Sequence, residues 1–426
     1  MINITHIGGQ NTITGSCHLL RSKGINMLID CGMAQGHDTV TPMQSWSVSP
    51  KNIHYLFLTH AHIDHIGRIP ELIAHGFKGE ILCTHPTKAL LLPLLKDALS
   101  FTDFDRRQKQ NLLERIDELS YGFEFGEDFT LKKGIHFKFG RAGHILGSAF
   151  IRFDLSDNFS IVFSGDLGST DTPILCDPDT SDSCDLLVLE STYGNRLHGD
   201  RTHRTERLGQ VLTRCLSDSG KVFIPAFALG RTQELIYEMD RLNIAANLDV
   251  PVYIDSPLGL EITRLYHTLA PFWDHEAKSL YASGDHPLNF ENLHAVRDHA
   301  HHLDLVHEPG PMIVLAGSGM CSGGRIVDHL RHGLGDPRND ILFVGHQSGG
   351  TLGSDLLRYS DRPGGYVHID GDRVDIRAKV HRLTGYSAHA DQQGLVDWVH
   401  GMGGQAGRNS IGSWRRGREE GAQGGS

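Results

Sequence analysis

The stretch "LTHAHIDHIG", Leu58 to Gly67, places His60, His62, Asp64 and His65 within six positions. Imidazole and carboxylate form a borderline-soft donor set, suited to zinc, with manganese as the alternative, rather than to calcium. On an extended segment His60 and His62 project to one side, while Asp64 and His65 sit where the chain turns toward a helix and can face the same cavity from another direction. Four donors exceed what a single site needs, so the loop has material for two ions. The chain contains 28 histidines, so one cluster alone is weak evidence, and the missing partners must come from elsewhere. His144 in "RAGHILGSA" and Asp166 in "IVFSGDLG" each end an expected strand and follow a glycine, where backbone passes close to other atoms.

The elements that would carry these groups follow from pattern. "INITHIG", "SCHLLRS" and "INMLIDCG" read as strands separated by Gly-rich turns, and the apolar run "HYLFLTH" delivers the histidine loop as a buried strand would. Helices are expected over "RIPELIAHG" and over "DFDRRQKQNLLERIDELS", where Leu112, Ile116 and Leu119 recur at helical spacing. Strands return in "IHFKFGRAGH", "AFIRFDL" and "FSIVFSGD". From about residue 196 the rhythm becomes strand, loop, helix, the signature of a parallel sheet with crossover helices. After "DRPGG" comes a hairpin, "YVHIDGDRVDIRAKVHRLTG", and then a capped helix in "SAHADQQGLVDWVHG".

Composition narrows the function classes. With 426 residues, 39% of them hydrophobic, the chain can bury more than one core. No apolar run is long enough to span a membrane, no basic-then-apolar leader opens the chain, and a cytoplasmic protein is expected. Seven scattered cysteines, none spaced C-x-x-C, argue for reduced, buried thiols. A net charge of −11 repels a polyanion at long range, so a nucleic-acid partner would need a local positive patch or bound metal. The tract "RDHAHHLDLVHEPG" with His299, His301, His302 and His307 reads as solvated surface, because a histidine-rich tract is only a compositional hint of metal. His400 in "DWVHGM" falls on the last helix and is not read as a ligand.

In their order, "HAHIDH", "AGHILGSA" and "SGDLG" resemble the metallo-β-lactamase fold, and "LLVLESTYGNRLH", "IPAFALGRTQELI", "GSGMCSGGR" and "GYSAHADQQ" resemble its β-CASP branch of nucleases. The resemblance extends to residue 402. It implies an α/β protein, an αββα sandwich with an inserted β-CASP α/β domain of mainly parallel sheet. The sandwich would be formed by 1–195 and 361–402, the insert by 196–360, and 403–426 would be an atypical, disordered tail. Carried over, His60, His62 and His144 would hold one zinc, Asp64 and His65 the other, and Asp166 would bridge both. RNA phosphodiester hydrolysis by a di-zinc-activated hydroxide is the implied reaction, endonucleolytic, 5′-exonucleolytic or both. Asp166, Glu190 and His389 would be the catalytic residues, with His389 a general acid oriented by Glu190.

The strand-to-helix loop "AGSGMCSGGR", with Ser318, Gly319, Gly323 and Arg325, together with Arg231 after "FALG", would contact the phosphates of single-stranded RNA through free amides and guanidinium groups. The resemblance also allows a homodimer. Two other readings share the fold, a non-catalytic scaffold subunit and a DNA nuclease; a hydrolase of small esters is disfavoured by the inserted domain. Family members that cut RNA usually continue into one more strand ending in a V-H-G-type motif whose histidine completes the second metal site. Here Gly/Arg-rich sequence follows residue 402 instead, as a reading-frame shift or altered terminus would produce. The second site is therefore expected to be weakened.

Overall fold

The computed structural model describes residues 2–155, 159–199, 201–242 and 249–403; the tail expected over 403–426 lies outside them apart from Gly403. Two sheets face each other in the first part of the chain. One runs in sequence order through Asn3–Gly8, Cys17–Ser22, Ile25–Ile29, Tyr55–Phe57, Glu80–Thr84 and Ser120–Phe123, antiparallel at its start and parallel from Ile25–Ile29 onward. The other is ordered Leu186–Val188, Ser160–Phe163, Ala149–Asp154, His136–Arg141, Phe129–Thr130, antiparallel except for its first pair.

Alternation along the strands decides what lies between them. Leu20, Met27, Phe57 and Leu82 from one sheet meet Phe137, Phe139, Ile151, Phe153 and Phe163 from the other. Phe57 packs edge-on against Phe137 and Phe153, with ring centroids 5.0 and 4.8 Å away. The outer face of the first sheet, with Leu28, Leu56 and Ile81, is covered by Leu90, Leu91 and Leu95 of helix His85–Ser100. The outer face of the second, with Phe150 and Val162, is covered by Leu395, Trp398 and Met402 from the helix Gln392–Gly401 and its end. This is an αββα sandwich. Leu186–Val188, half-buried, is an edge strand of the second sheet among the described residues.

A third sheet, ordered Leu293–Ala295, Val252–Asp255, Met312–Ala316, Lys221–Pro225, Asp340–Phe343, Lys379–Arg382, is parallel throughout. Its strands Met312–Ala316 and Asp340–Phe343 are buried at every position, their apolar side chains entering a core on either face. The hairpin Tyr366–Ile369/Asp372–Asp375 and the strand Lys379–Arg382 fall in the segment expected to return to the sandwich. They serve the parallel sheet instead: Val367, Ile369 and Ala378 enter its core, and Lys379–Arg382 forms its edge. Two-residue alternation specifies a buried face without specifying which sheet supplies the cover. The chain rejoins the sandwich only over the stretch leading into the last helix, where Ala390 N donates to Leu167 O at 2.7 Å. Among the described residues no helix is long and apolar enough to cross a membrane.

Candidate active site

The site lies where strands of the two sandwich sheets end. Strand Tyr55–Phe57 runs into Leu58–Ala61, and His62 occupies the cap position of the one-turn helix Ile63–Ile66. That turn sends Asp64 and His65 back toward His60. His144 follows strand His136–Arg141, and Asp166 follows Ser160–Phe163. The preceding glycines are required by geometry: Gly143 has φ +70° and Gly165 has φ +54°, and a Cβ on Gly165 would sit 2.6 Å from Thr59 Cβ. Any side chain there would push Asp166 away from the histidine loop.

One nitrogen or oxygen from each of His60, His62, His144 and Asp166 falls within 4.8 Å of the others. His62 Nδ1 lies 3.1 Å from both His60 Nε2 and His144 Nε2. Asp166 divides its two oxygens. Oδ2 faces His60 Nε2 and His144 Nε2, each at 3.6 Å, whereas Oδ1 faces His65 Nε2 at 3.4 Å. Asp64 Oδ2 joins on this second side, 3.9 Å from His65 Nε2.

Burial holds the His60, His62 and His144 imidazoles below their ordinary range, His62 at about 4, so they present uncharged nitrogens at neutral pH. Burial also opposes charge on His65 and on Asp166, yet Asp166, Asp30 and Asp64 hold His65 protonated, and His65 with His389 keeps Asp166 ionised. No lysine or arginine among the described residues pairs with Asp64 or Asp166. Three neutral imidazoles converging with Asp166, and Asp64 and Asp166 paired with histidine but with no lysine or arginine, are a donor set that fits divalent metal, an ion taking the place of the proton on His65.

Asp30 is a further candidate residue of the site that the motifs do not include. Fully buried at the end of "NMLID", it takes His65 Nδ1 at 2.7 Å on Oδ2 and the Thr59 amide at 2.8 Å on Oδ1. This contact fixes which imidazole nitrogen points at Asp166, a positioning role of the kind that tunes metal ligands. The available signal was an acidic residue closing an otherwise apolar strand. Asp30→Asn is expected to weaken metal affinity about 10–100-fold with the fold intact, measured by competition against a chelator; unchanged affinity would remove Asp30 from the site.

Glu190 and His389 reach the same place by backbone pairing. Leu186–Val188 runs parallel to Ser160–Phe163, so the chain leaves both strands at one end, and Glu190 Oε1 accepts from Leu167 N at 2.6 Å. Gly168 and His389 form an antiparallel bridge, setting His389 Nδ1 3.2 Å from Glu190 Oε2 and 3.9 Å from Asp166 Oδ2. Burial works against charge on His389, but Glu190 and Asp166 outweigh it and raise the imidazole to about 9. His198, also missed in the sequence, lies 2.9 Å through Nε2 from His389 O, and its ring packs on Tyr193.

None of the expected phosphate contacts is among the four grouped donors. Ser318 Oγ accepts from Ser322 N at 2.9 Å, Gly319 O accepts from Gln347 Nε2 at 2.8 Å, and Gly323 lies open, with nothing within 4 Å of a Cβ placed on it. Arg325 turns inward to Asp255 at 2.6 Å and to Val296 O at 3.0 Å. Arg231 is half-buried, paired with Glu234 and over the Tyr386 ring. Both guanidinium groups are thus committed to protein partners.

The histidine tract needs correction. It forms helix His299–His307, capped by Asp298, and His299, His301 and His307 are exposed; His302, however, is fully buried, 2.6 Å from Asp255 and 3.1 Å from Asp328. A helix in contact with a sheet buries one side whatever its polarity, and a buried acidic partner makes this tolerable. His400 is exposed on the last helix. All seven cysteines are free, six of them buried.

Residues 12–212 match the metallo-β-lactamase superfamily, 232–356 the β-CASP domain, and 373–405 the Zn-dependent metallo-hydrolase RNA specificity domain. A ribonuclease of Thermus thermophilus is 38% identical over 404 residues, covering 94% of this chain and 91% of that protein. The chain belongs to the β-CASP family of metallo-β-lactamase-type hydrolases. Other β-CASP relatives include an RNase J-like protein of Methanocaldococcus jannaschii, 31% identical over 94% of this chain and 89% of its own length. A transcription termination factor of Methanosarcina mazei is 29% identical over 94% of this chain and 65% of its own length. The family is metal-dependent, in keeping with the donor set above.

Proposed function

We propose that this chain hydrolyses phosphodiester bonds of single-stranded RNA, with two zinc ions held by His60, His62, His144 and Asp166 on one side and by Asp64, His65 and Asp166 on the other. The observation that carries this reading is the division of Asp166, whose two oxygens face two separate donor groups at 3.4–3.6 Å. The chemistry such a pair supplies when bound is acidification of water and neutralisation of charge on the phosphoryl oxygens. The chain's own groups do the rest. Asp166 and the imidazoles define the attacking side. His389, kept protonated by Glu190, lies next to Asp166 and gives its proton to the departing ribose oxygen.

Support for RNA comes from the ribonuclease relative and from the RNA specificity match over 373–405. The carboxyl ends of parallel strands, where open α/β sheets bind ligands, also approach the site: Gly230, after Lys221–Pro225, packs against Ile145 beside His144. The Gly317–Gly324 loop remains the candidate backbone contact, through Gly319 and Gly323 and the Ser318 hydroxyl, since the Ser318 amide already donates to Gly323 O at 3.0 Å; Arg325, which opens the helix after the loop, would brace it, and Arg231 would act from beside Tyr386. Asp64 and His65 form a looser group than the four-donor set, so the ion on that side is expected to be held more weakly.

Zinc-loaded protein incubated with labelled single-stranded RNA, single-stranded DNA and a chromogenic ester tests the proposal. Preferential RNA cleavage supports it. DNA preference favours a DNA nuclease, and inactivity with full metal content favours a scaffold. Glu190→Gln supplies a finer check. A general acid must be protonated, so activity falls as pH rises through its pKa; removing the Glu190 charge lowers that pKa, and the alkaline limb of kcat/KM is expected to move to lower pH. An unmoved limb would dissociate Glu190 from the proton transfer.

A further inference from the structure

We propose that Cys215, Asp340 and His381 form an additional zinc-type metal site, sharing no residue with the hydrolytic centre, which ties the edge of the parallel sheet to the helix beneath it. The three come from distant segments: Cys215 ends helix Arg204–Cys215, Asp340 opens strand Asp340–Phe343, and His381 lies on edge strand Lys379–Arg382. Strand register makes the meeting specific. Asp340 pairs with Lys379 and Leu342 with His381, so Asp340, Leu342 and His381 share one face of the sheet. That face is the one on which Leu208, Leu212 and Cys215 pack with Leu342.

One ligand atom from each residue lies within 4.8 Å of the others, and His381 Nε2 is 2.5 Å from Asp340 Oδ1. Asp340 is 1% exposed, and its second oxygen, Oδ2, is buried without a hydrogen bond of ordinary geometry. The Cys215 thiol is the polar group beside this carboxylate, and a long S–H contact compensates a buried carboxylate oxygen only weakly, whereas a shared ion would satisfy both groups. Thiolate, carboxylate and imidazole select zinc or cobalt over magnesium or calcium. Burial and the neighbouring Asp340 push the Cys215 thiol up to about 12, so an ion would bind here with release of the thiol proton; the thiolate so formed and the carboxylate would then carry the two negative charges a divalent ion requires, with Lys379 and Arg214 nearby and Lys379 itself paired with Asp218 at 3.1 Å. The His381 side chain is 20% exposed, so water has access to a fourth position.

The Asp255, His302 and His329 group meets the same distance criterion but already holds the Arg325 guanidinium at 2.6 Å, with each imidazole 2.6 Å from Asp255. An existing cation occupies the role an ion would take there.

The four-donor hydrolytic group contains no sulfur, which gives the test its specificity. Full-length protein loaded with Co2+ is expected to show thiolate-to-cobalt charge-transfer absorption in the near ultraviolet. The band should persist in Asp166→Ala and disappear in Cys215→Ser, with one equivalent of metal lost per chain. His381→Gln, altered at a partly exposed position, should reduce the band in a chain whose far-ultraviolet circular dichroism is unchanged, and decides the matter if Cys215→Ser fails to fold. Absence of the band in wild type, its persistence without Cys215, or unchanged metal content in the folded variants would overturn the site. None of these readouts depends on hydrolytic activity.

Discussion

Asp166→Ala is expected to abolish RNA cleavage and to strip metal from both donor groups at once. Its two oxygens divide between the groups: Oδ2 serves His60 and His144, and Oδ1 serves His65. Removing it leaves His60, His62 and His144 with no carboxylate and leaves the second side with only Asp64 and His65. Metal polarisation supplies several kcal/mol of transition-state stabilisation; losing about 4 kcal/mol lowers the rate roughly 10³-fold. Elemental analysis and single-turnover cleavage check both halves. A variant that keeps wild-type metal content and cleaves within about tenfold of wild type would show that Asp166 bridges nothing.

His389→Ala is expected to separate chemistry from metal binding. His389 Nδ1 is 3.9 Å from Asp166 and pairs chiefly with Glu190 at 3.2 Å, outside the four-donor group. Loss of a positioned general acid costs about 10²–10⁴-fold in kcat and should leave metal content unchanged. Substrate chemistry sharpens the test: an activated phosphodiester whose leaving group needs no proton should lose far less than RNA does. Equal loss on both substrates would mean that His389 acts on structure or binding and not on the leaving oxygen.

Much of the fold was written in local pattern. Alternating strands, the apolar run into the histidine loop, the Asp105-capped helix Arg106–Leu119 and the strand-loop-helix rhythm all depend on neighbours within a few positions, where periodicity and capping act. The Lys379–Arg382 strand is the counterexample. Its apolar alternation was legible, but its partner, Asp340–Phe343, lies some forty positions away, and only the closed sheet chose between two sheets needing an edge.

The site divides in the same manner. Sequence by itself placed His60, His62, Asp64 and His65 together, because six consecutive positions around a one-turn helix cannot separate them far, and it marked Gly143 and Gly165 as close approaches. Tertiary structure alone decided that Asp30 would hold His65, that Arg325 would turn to Asp255, and that His302 would be buried. The reason is common to all three. A titratable side chain takes its role from the charge and burial supplied by remote segments, and those become fixed only when the sheets close around it.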